Sequence, residues 1–132
     1  MNRLVVDASA VVEYLLRTPR GERVEAAIRL PDADLHAPAL CDVEVAAVVR
    51  RGRLSGCLGA RRAAEVLGDY LDLPFTRHGH QHLMGRVLEL RNNFSAYDAT
   101  YVALAEVLGA ALVTTDERLA SATREHLDIG VL

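Results

Sequence analysis

The chain has 132 residues, 51% of them hydrophobic and 25% charged, which is the composition of one globular domain over residues 1–132 and excludes a disordered, collagen-like or disulfide-dense chain. Its 15 cationic residues are all arginine, set against 18 acids for a net charge of −3, so a Walker A phosphate loop, a lysine Schiff base and a lysine-dependent phospho-aspartate receiver are excluded. No apolar run reaches the roughly 18 residues of a bilayer span, and Asp7 interrupts the N-terminus before a signal-peptide core can form; a non-membrane, unexported, cytoplasmic protein is expected.

Arg3–Val6 reads as a buried strand ending at Asp7, followed by a helix from Ala8 to Arg17 that stops before Pro19. A second helical run covers Glu22–Leu30 and ends at Pro31, and Leu35–Ala37 is a short strand candidate. Pro38 suits the first position of a helix running to about Arg53. Helix is expected over Ala60–Leu71, strand over Leu73–Thr76, and helix again over His80–Arg91. Ser95 caps a helix from Ala96 to Leu108 with Gly109 as its stop. Ala111–Thr115 is the second clear strand, ending at Asp116, with a short helix after it and Ile129–Val131 as a candidate last strand. This alternation predicts an α/β fold with a mostly parallel sheet covered by helices on both faces, and such sheets bind ligands at the carboxyl ends of their strands. Cys41 and Cys57 form no CxxC pair and read as reduced, buried thiols.

Charge is unevenly spread. Residues 50–62 hold Arg50, Arg51, Arg53, Arg61 and Arg62 and no acid, a basic strip on an acidic chain. Such a strip suits a solvated helix end as well as a phosphate-binding surface.

Four acids stand at positions that need an explanation. Asp7 and Asp116 each end an apolar strand. Glu44 shares a helix face with Leu40, Ala47 and Val48, and Asp98 shares one with Tyr101, Val102 and Ala105. Each has a local alternative: Asp7 and Asp116 as N-caps, Ser95 and Asp98 as a capping box, Glu44 as a partner of Arg51. Together the local accounts require four separate coincidences at one sheet edge. Carboxylates gathered there must either take up protons or hold a hard divalent cation. An all-oxygen donor set selects Mg2+, with Mn2+ as substitute. Four charges match two ions about 4 Å apart, an arrangement that promotes in-line attack of water on a phosphodiester. With the four neutralised, 14 acids face 15 arginines and the chain no longer repels a polyanion.

These residues resemble the PIN-domain ribonucleases, and among them the VapC-type toxins of bacterial toxin–antitoxin pairs. The resemblance rests on Val5-Val6-Asp7-Ala8-Ser9-Ala10, on Pro38-Ala39-Leu40 leading to Glu44, on Tyr97-Asp98-Ala99, and on Val113-Thr114-Thr115-Asp116, in that order along essentially the whole chain. It implies a three-layer α/β/α sandwich and makes Asp7, Glu44, Asp98 and Asp116 the catalytic, metal-binding quartet. Ser9 and Thr114 are the hydroxyls implied to orient carboxylates or water; local turn bonds are their alternative. It further implies an endoribonuclease leaving 5′-phosphate and 3′-hydroxyl ends, a homodimer, and an antitoxin able to block the acidic site. The five arginines of the strip would grip the RNA.

Two competing features are weaker. His78 and His82 would share a helix face and suggest a metal-independent acid–base pair, but Gly79 sits between them and no nearby acid orients the rings, so a solvated helix N-terminus is expected. Tyr97 and Tyr101 could stack on bases, yet their helical spacing favours core packing. The alternative to a nuclease is a catalytically inactive PIN-like module that binds protein, its acids serving as caps and ion-pair partners. Nothing in the sequence encodes which RNA is cut.

Overall fold

The computed structural model describes residues 2–132. Strands β1 (Asn2–Val6), β2 (Ala33–Pro38), β3 (Thr76–His78) and β4 (Ala111–Val113) form one sheet in the order β3-β2-β1-β4, and every pairing is parallel. Parallel strands need crossovers. The crossover from β1 to β2 contains α1 (Ala8–Leu15) and α2 (Pro19–Ile28), and that from β2 to β3 contains α3 (Leu40–Ser55) and α4 (Ala60–Asp72). The return to β4 runs through a 3-10 turn at Gln81–Leu83, α5 (Met84–Glu89) and α6 (Ala96–Leu108); α7 (Glu117–His126) follows β4.

The hydrophobic pattern dictates this order. Leu4, Val5 and Val6 are all buried, as a strand covered on both faces must be, and β1 occupies the interior of the sheet. Two crossovers step outward from β1 and one steps back past it. With a common right-handed sense, the first two lay α1–α4 on one face and the third lays α5 and α6 on the other. The helix contacts agree: α1 packs on α2, α3 and α4, whereas α6 packs on α5, β1, β2 and β4. The expected α/β/α sandwich is therefore formed, with a sheet that is wholly parallel among the described residues.

Several boundaries differ from those the sequence suggests. Helix α2 starts at Pro19, not Glu22, because Thr18 accepts a bond from the Gly21 N–H and Pro19 fills the first turn. Helix α1 stops at Leu15, and Arg17 turns the chain with φ +56°. Pro38 ends β2 opposite His78 instead of opening a helix, and α3 begins at Leu40. Strand β3 lies at Thr76–His78, beyond the predicted Leu73–Thr76, because a tight turn from Leu73 to Phe75 precedes it. The predicted His80–Arg91 helix is a 3-10 turn plus the short α5, and Ile129–Val131 contributes only an isolated bridge from Val131 to Leu112. Cys41 is buried as expected; Cys57 is exposed, since it follows the left-handed Gly56 that ends α3.

Gly21 sets how closely α2 approaches α1: a Cβ at this position would run into the Glu13 carbonyl oxygen, a backbone atom that cannot swing aside. Gly21→Ala is expected to destabilise the fold by about 2 kcal/mol, the usual cost of overpacking, whereas Gly68→Ala, on α4 with open space around it, should be neutral or mildly stabilising. Urea unfolding of the two variants checks the contrast.

Candidate functional site

β1 delivers Asp7 to its carboxyl end, where the Asp7 N–H donates to the Val113 carbonyl at 3.0 Å and ties that end to the neighbouring end of β4. The Asp7 side chain then caps α1. Its Oδ1 accepts from the Ala10 N–H at 2.9 Å and from the Ser9 hydroxyl at 2.7 Å, and its Oδ2 accepts from the Thr114 hydroxyl. Thr114 Oγ1 also accepts from the Asp116 N–H at 3.0 Å, so a single hydroxyl links the first acid to the last. Thr115 adds a bond to Ser9 Oγ at 3.1 Å. Asp116 caps α7, accepting from the Arg118 and Leu119 N–H groups.

The other two acids come from helices on opposite faces of the sheet. Asp98 lies in the first turn of α6, where its N–H donates to Ser95 Oγ at 3.1 Å; the reciprocal half of a capping box is absent among the described residues. Glu44 lies one turn into α3, and its Oε1 accepts from the Tyr101 hydroxyl at 2.6 Å, so the local alternative of a pair with Arg51 is not formed. Asp7, Glu44, Asp98 and Asp116 line one cleft of about 250 Å3, together with Ser9, Tyr101 and Arg51.

The carboxylates influence one another. Burial pushes Asp7 above its ordinary value, against the opposing bonds from Thr114, Ala10 and Ser9, and the charge of Asp98 pushes in the same direction. Burial also raises Asp98, with the charge of Asp116 as the next cause. Burial holds the Tyr101 phenol far above its usual range, so it stays a hydrogen-bond donor. Elsewhere acids find arginines: Asp42 pairs with Arg77 at 2.7 Å, Glu106 with Arg86 at 2.9 Å and Glu25 with Arg29 at 2.8 Å. Among the described residues none of the four cleft acids is ion-paired.

A lining of four carboxylates, all oxygen donors, fits Mg2+ or Mn2+ in its chemistry. As they stand, no three His, Cys, Asp or Glu side chains among the described residues converge to ligating distance, so binding would have to draw the carboxylates inward.

The arginines of residues 50–62 do not act as one strip. Arg51 enters the acidic cleft, and Arg50 and Arg61 are exposed. Arg53 donates to the Leu58 carbonyl across the turn after α3. Arg62 donates to the Leu15 carbonyl and lines a separate cleft of about 430 Å3 between α1, α2 and α4. The histidines also depart from expectation. His78 is on β3, not at a helix start, and its Nε2 lies 2.8 Å from Nδ1 of the buried His36, whose Nε2 meets Asp34 at 2.8 Å. Burial, then the proximity of His36 and His82, lowers the His78 pKa. Tyr97 is exposed, whereas Tyr101 is buried with only its hydroxyl engaged in the cleft. The 57-residue separation of Tyr101 from Glu44 hides this bond from any local pattern.

Residues 4–125 match the PIN domain. The chain is 41% identical over 129 residues to ribonuclease VapC9 of Mycobacterium tuberculosis, covering 98% of each. Among solved structures it is similar to VapC20 of M. tuberculosis, a sarcin–ricin-loop-cleaving toxin, with a TM-score of 0.68 at 16% identity over 90% of this chain and 94% of that one. It is also similar to a toxin–antitoxin complex from Klebsiella pneumoniae, with a TM-score of 0.57 at 16% identity over 98% of this chain and 95% of that one. The chain belongs to the PIN-domain family, within its VapC group.

Because the carboxyls of Asp7 and Asp98 sit above 3.8 in the folded chain, their ionisation costs stability, fully once pH exceeds their folded values and not at all below 3.8. Asn caps a helix nearly as well as Asp, so Asp7→Asn removes the charge and keeps the cap. The variant is expected to raise the metal-free melting temperature at pH 7 by about 2–4 °C, with the gain vanishing towards pH 3–4. Calorimetric scans in chelator across that range check it; a loss of stability at pH 7 would favour a purely structural carboxylate.

Proposed function

We propose that this protein is a Mg2+-dependent endoribonuclease, with Mn2+ as substitute, acting as the toxin of a type II toxin–antitoxin pair. The observation that carries the reading is that Asp7, Glu44, Asp98 and Asp116 line one cleft with no ion pair to any of them among the described residues, in a chain of the VapC group. Relatives named as ribonucleases, and a structural neighbour that cleaves the sarcin–ricin loop, support RNA as the substrate class.

Asp7, Asp98 and Asp116 would hold the ions, and Glu44 would complete the set or position the attacking water. Divalent cations bound there supply neutralising charge and a nucleophilic water at neutral pH. Ser9, Thr114 and the Ala10 N–H fix both oxygens of Asp7, so its carboxylate keeps its orientation as a phosphate approaches. Thr114 holds the start of the Asp116 segment in register with Asp7. Arg51, the one arginine of the basic segment that lines this cleft, would take a phosphate oxygen of the RNA, with exposed Arg50 and Arg61 extending the contact along the strand. Arg53 and Arg62, engaged with backbone carbonyls, would contribute charge more than direct grip. In-line hydrolysis by water would leave 5′-phosphate and 3′-hydroxyl ends. A homodimer and an antitoxin partner belong to the same reading, the latter supported by similarity to a toxin–antitoxin complex. No helix among the described residues is long and apolar enough to cross a membrane.

With purified protein and structured RNA, Mg2+ or Mn2+ should support cleavage and EDTA should abolish it. Asp98→Asn should lower kcat by at least about a hundredfold. Arg51→Ala should raise KM by about tenfold, the worth of one charged hydrogen bond to phosphate, with a smaller change in kcat. Cleavage that persists in EDTA, or is unchanged in Asp98→Asn, would instead favour a metal-independent mechanism, and no cleavage with either ion would favour the catalytically inactive protein-binding module.

A further inference from the structure

The donors that organise the acidic cleft share one property: all are neutral. Asp7 is held by two hydroxyls and a backbone N–H, Asp116 by backbone N–H groups, and Glu44 by a phenol. An arginine would orient a carboxylate equally well, but it would also cancel the negative charge that attracts a cation. A neutral donor fixes direction and leaves the charge in place.

Tyr101 is the member of this set that joins two elements. It lies one turn beyond Asp98 on α6, and its hydroxyl crosses to Glu44 on α3. Its ring is 2% exposed and packed in the core, so the position of its oxygen is set by the fold and not by a mobile side chain. Glu44, by contrast, sits on a flexible side chain on a partly exposed stretch of helix. Its Oε1 is occupied by the phenol, whereas Oε2 takes no hydrogen bond among the described residues.

From this geometry we propose that Tyr101 is a positioning residue, which pins Glu44 Oε1 so that Oε2 is presented to the cleft at a fixed separation from Asp98. Tyr101 touches neither RNA nor the attacking water; it acts through Glu44. This rests on the nuclease reading of the cleft and adds to it the device that couples the α3 acid to the α6 acid.

Tyr101→Phe removes one oxygen and leaves the ring in place. The variant should keep the circular dichroism of the wild type and lose no more than a few degrees of metal-free melting temperature, the cost of one hydrogen bond to a charged group. Its affinity for Mn2+, measured by titration calorimetry in the absence of RNA, should fall by about tenfold, as for loss of a bond that orients a ligand. In RNA cleavage kcat should fall while KM stays unchanged. Added to Glu44→Ala, the substitution should have no further effect on either quantity. The proposal is overturned if Tyr101→Phe binds Mn2+ as tightly as the wild type, or if its effect adds in full to that of Glu44→Ala. If the wild-type protein itself binds no Mn2+, the metal reading of the cleft fails, and the Tyr101 role falls with it; wild-type binding matched by Tyr101→Phe removes the Tyr101 role alone.

Discussion

The constraint on which the rest of this molecule depends is electrostatic: four like-charged carboxylates share one small cleft with no ion pair to balance them. A folded chain tolerates such a cluster only if other interactions outweigh the repulsion. Here they are of two kinds. The strands beneath the cleft are apolar and fully buried, so Leu4, Val5, Val6, Leu112 and Val113 hold the strand ends together whatever the charge state above them. The carboxylates are also built into backbone structure: Asp7 and Asp116 cap the helices that follow their strands. Capping and cation binding therefore do not compete as explanations for these two residues. The same oxygens can satisfy helix N–H groups and retain the charge that a cation requires.

Much of this arrangement is legible in the sequence because it is local. An apolar strand that stops at an acid shows both the strand and the acid's place at its carboxyl end; Asp7 and Asp116 are of this kind. Ser95 and Gly109 delimit α6 by capping rules alone, and Glu44 and Asp98 are conspicuous because they interrupt apolar helix faces. What escapes the sequence is long-range. The Tyr101–Glu44 bond, the Thr114–Asp7 bond and the His36–His78 contact join residues 57, 107 and 42 positions apart. The basic segment is resolved only in space. Its five arginines are close in sequence but divide between the end of α3 and the start of α4, and of the five only Arg51 lines the acidic cleft.

The boundary errors are also physical. Pro38 is acceptable at a helix start and at a strand end, and its pairing opposite His78 decides between them. β3 has three residues on the sheet edge and too little apolar pattern to announce itself. His78 lies on that strand and His82 on the 3-10 turn after it, so the two are neighbours without sharing a helix face.

The pairing of β1 with β4 has a temporal consequence. Asp7 is made 107 residues ahead of Thr114, which with Val113 and Asp116 completes its surroundings. A partly synthesised chain that has reached α4 still lacks the strand against which β1 aligns the Asp7 carboxylate. The acidic cleft thus cannot close before β4 has been made and has joined β1, so a chain interrupted ahead of β4 carries Asp7 without the groups that hold it.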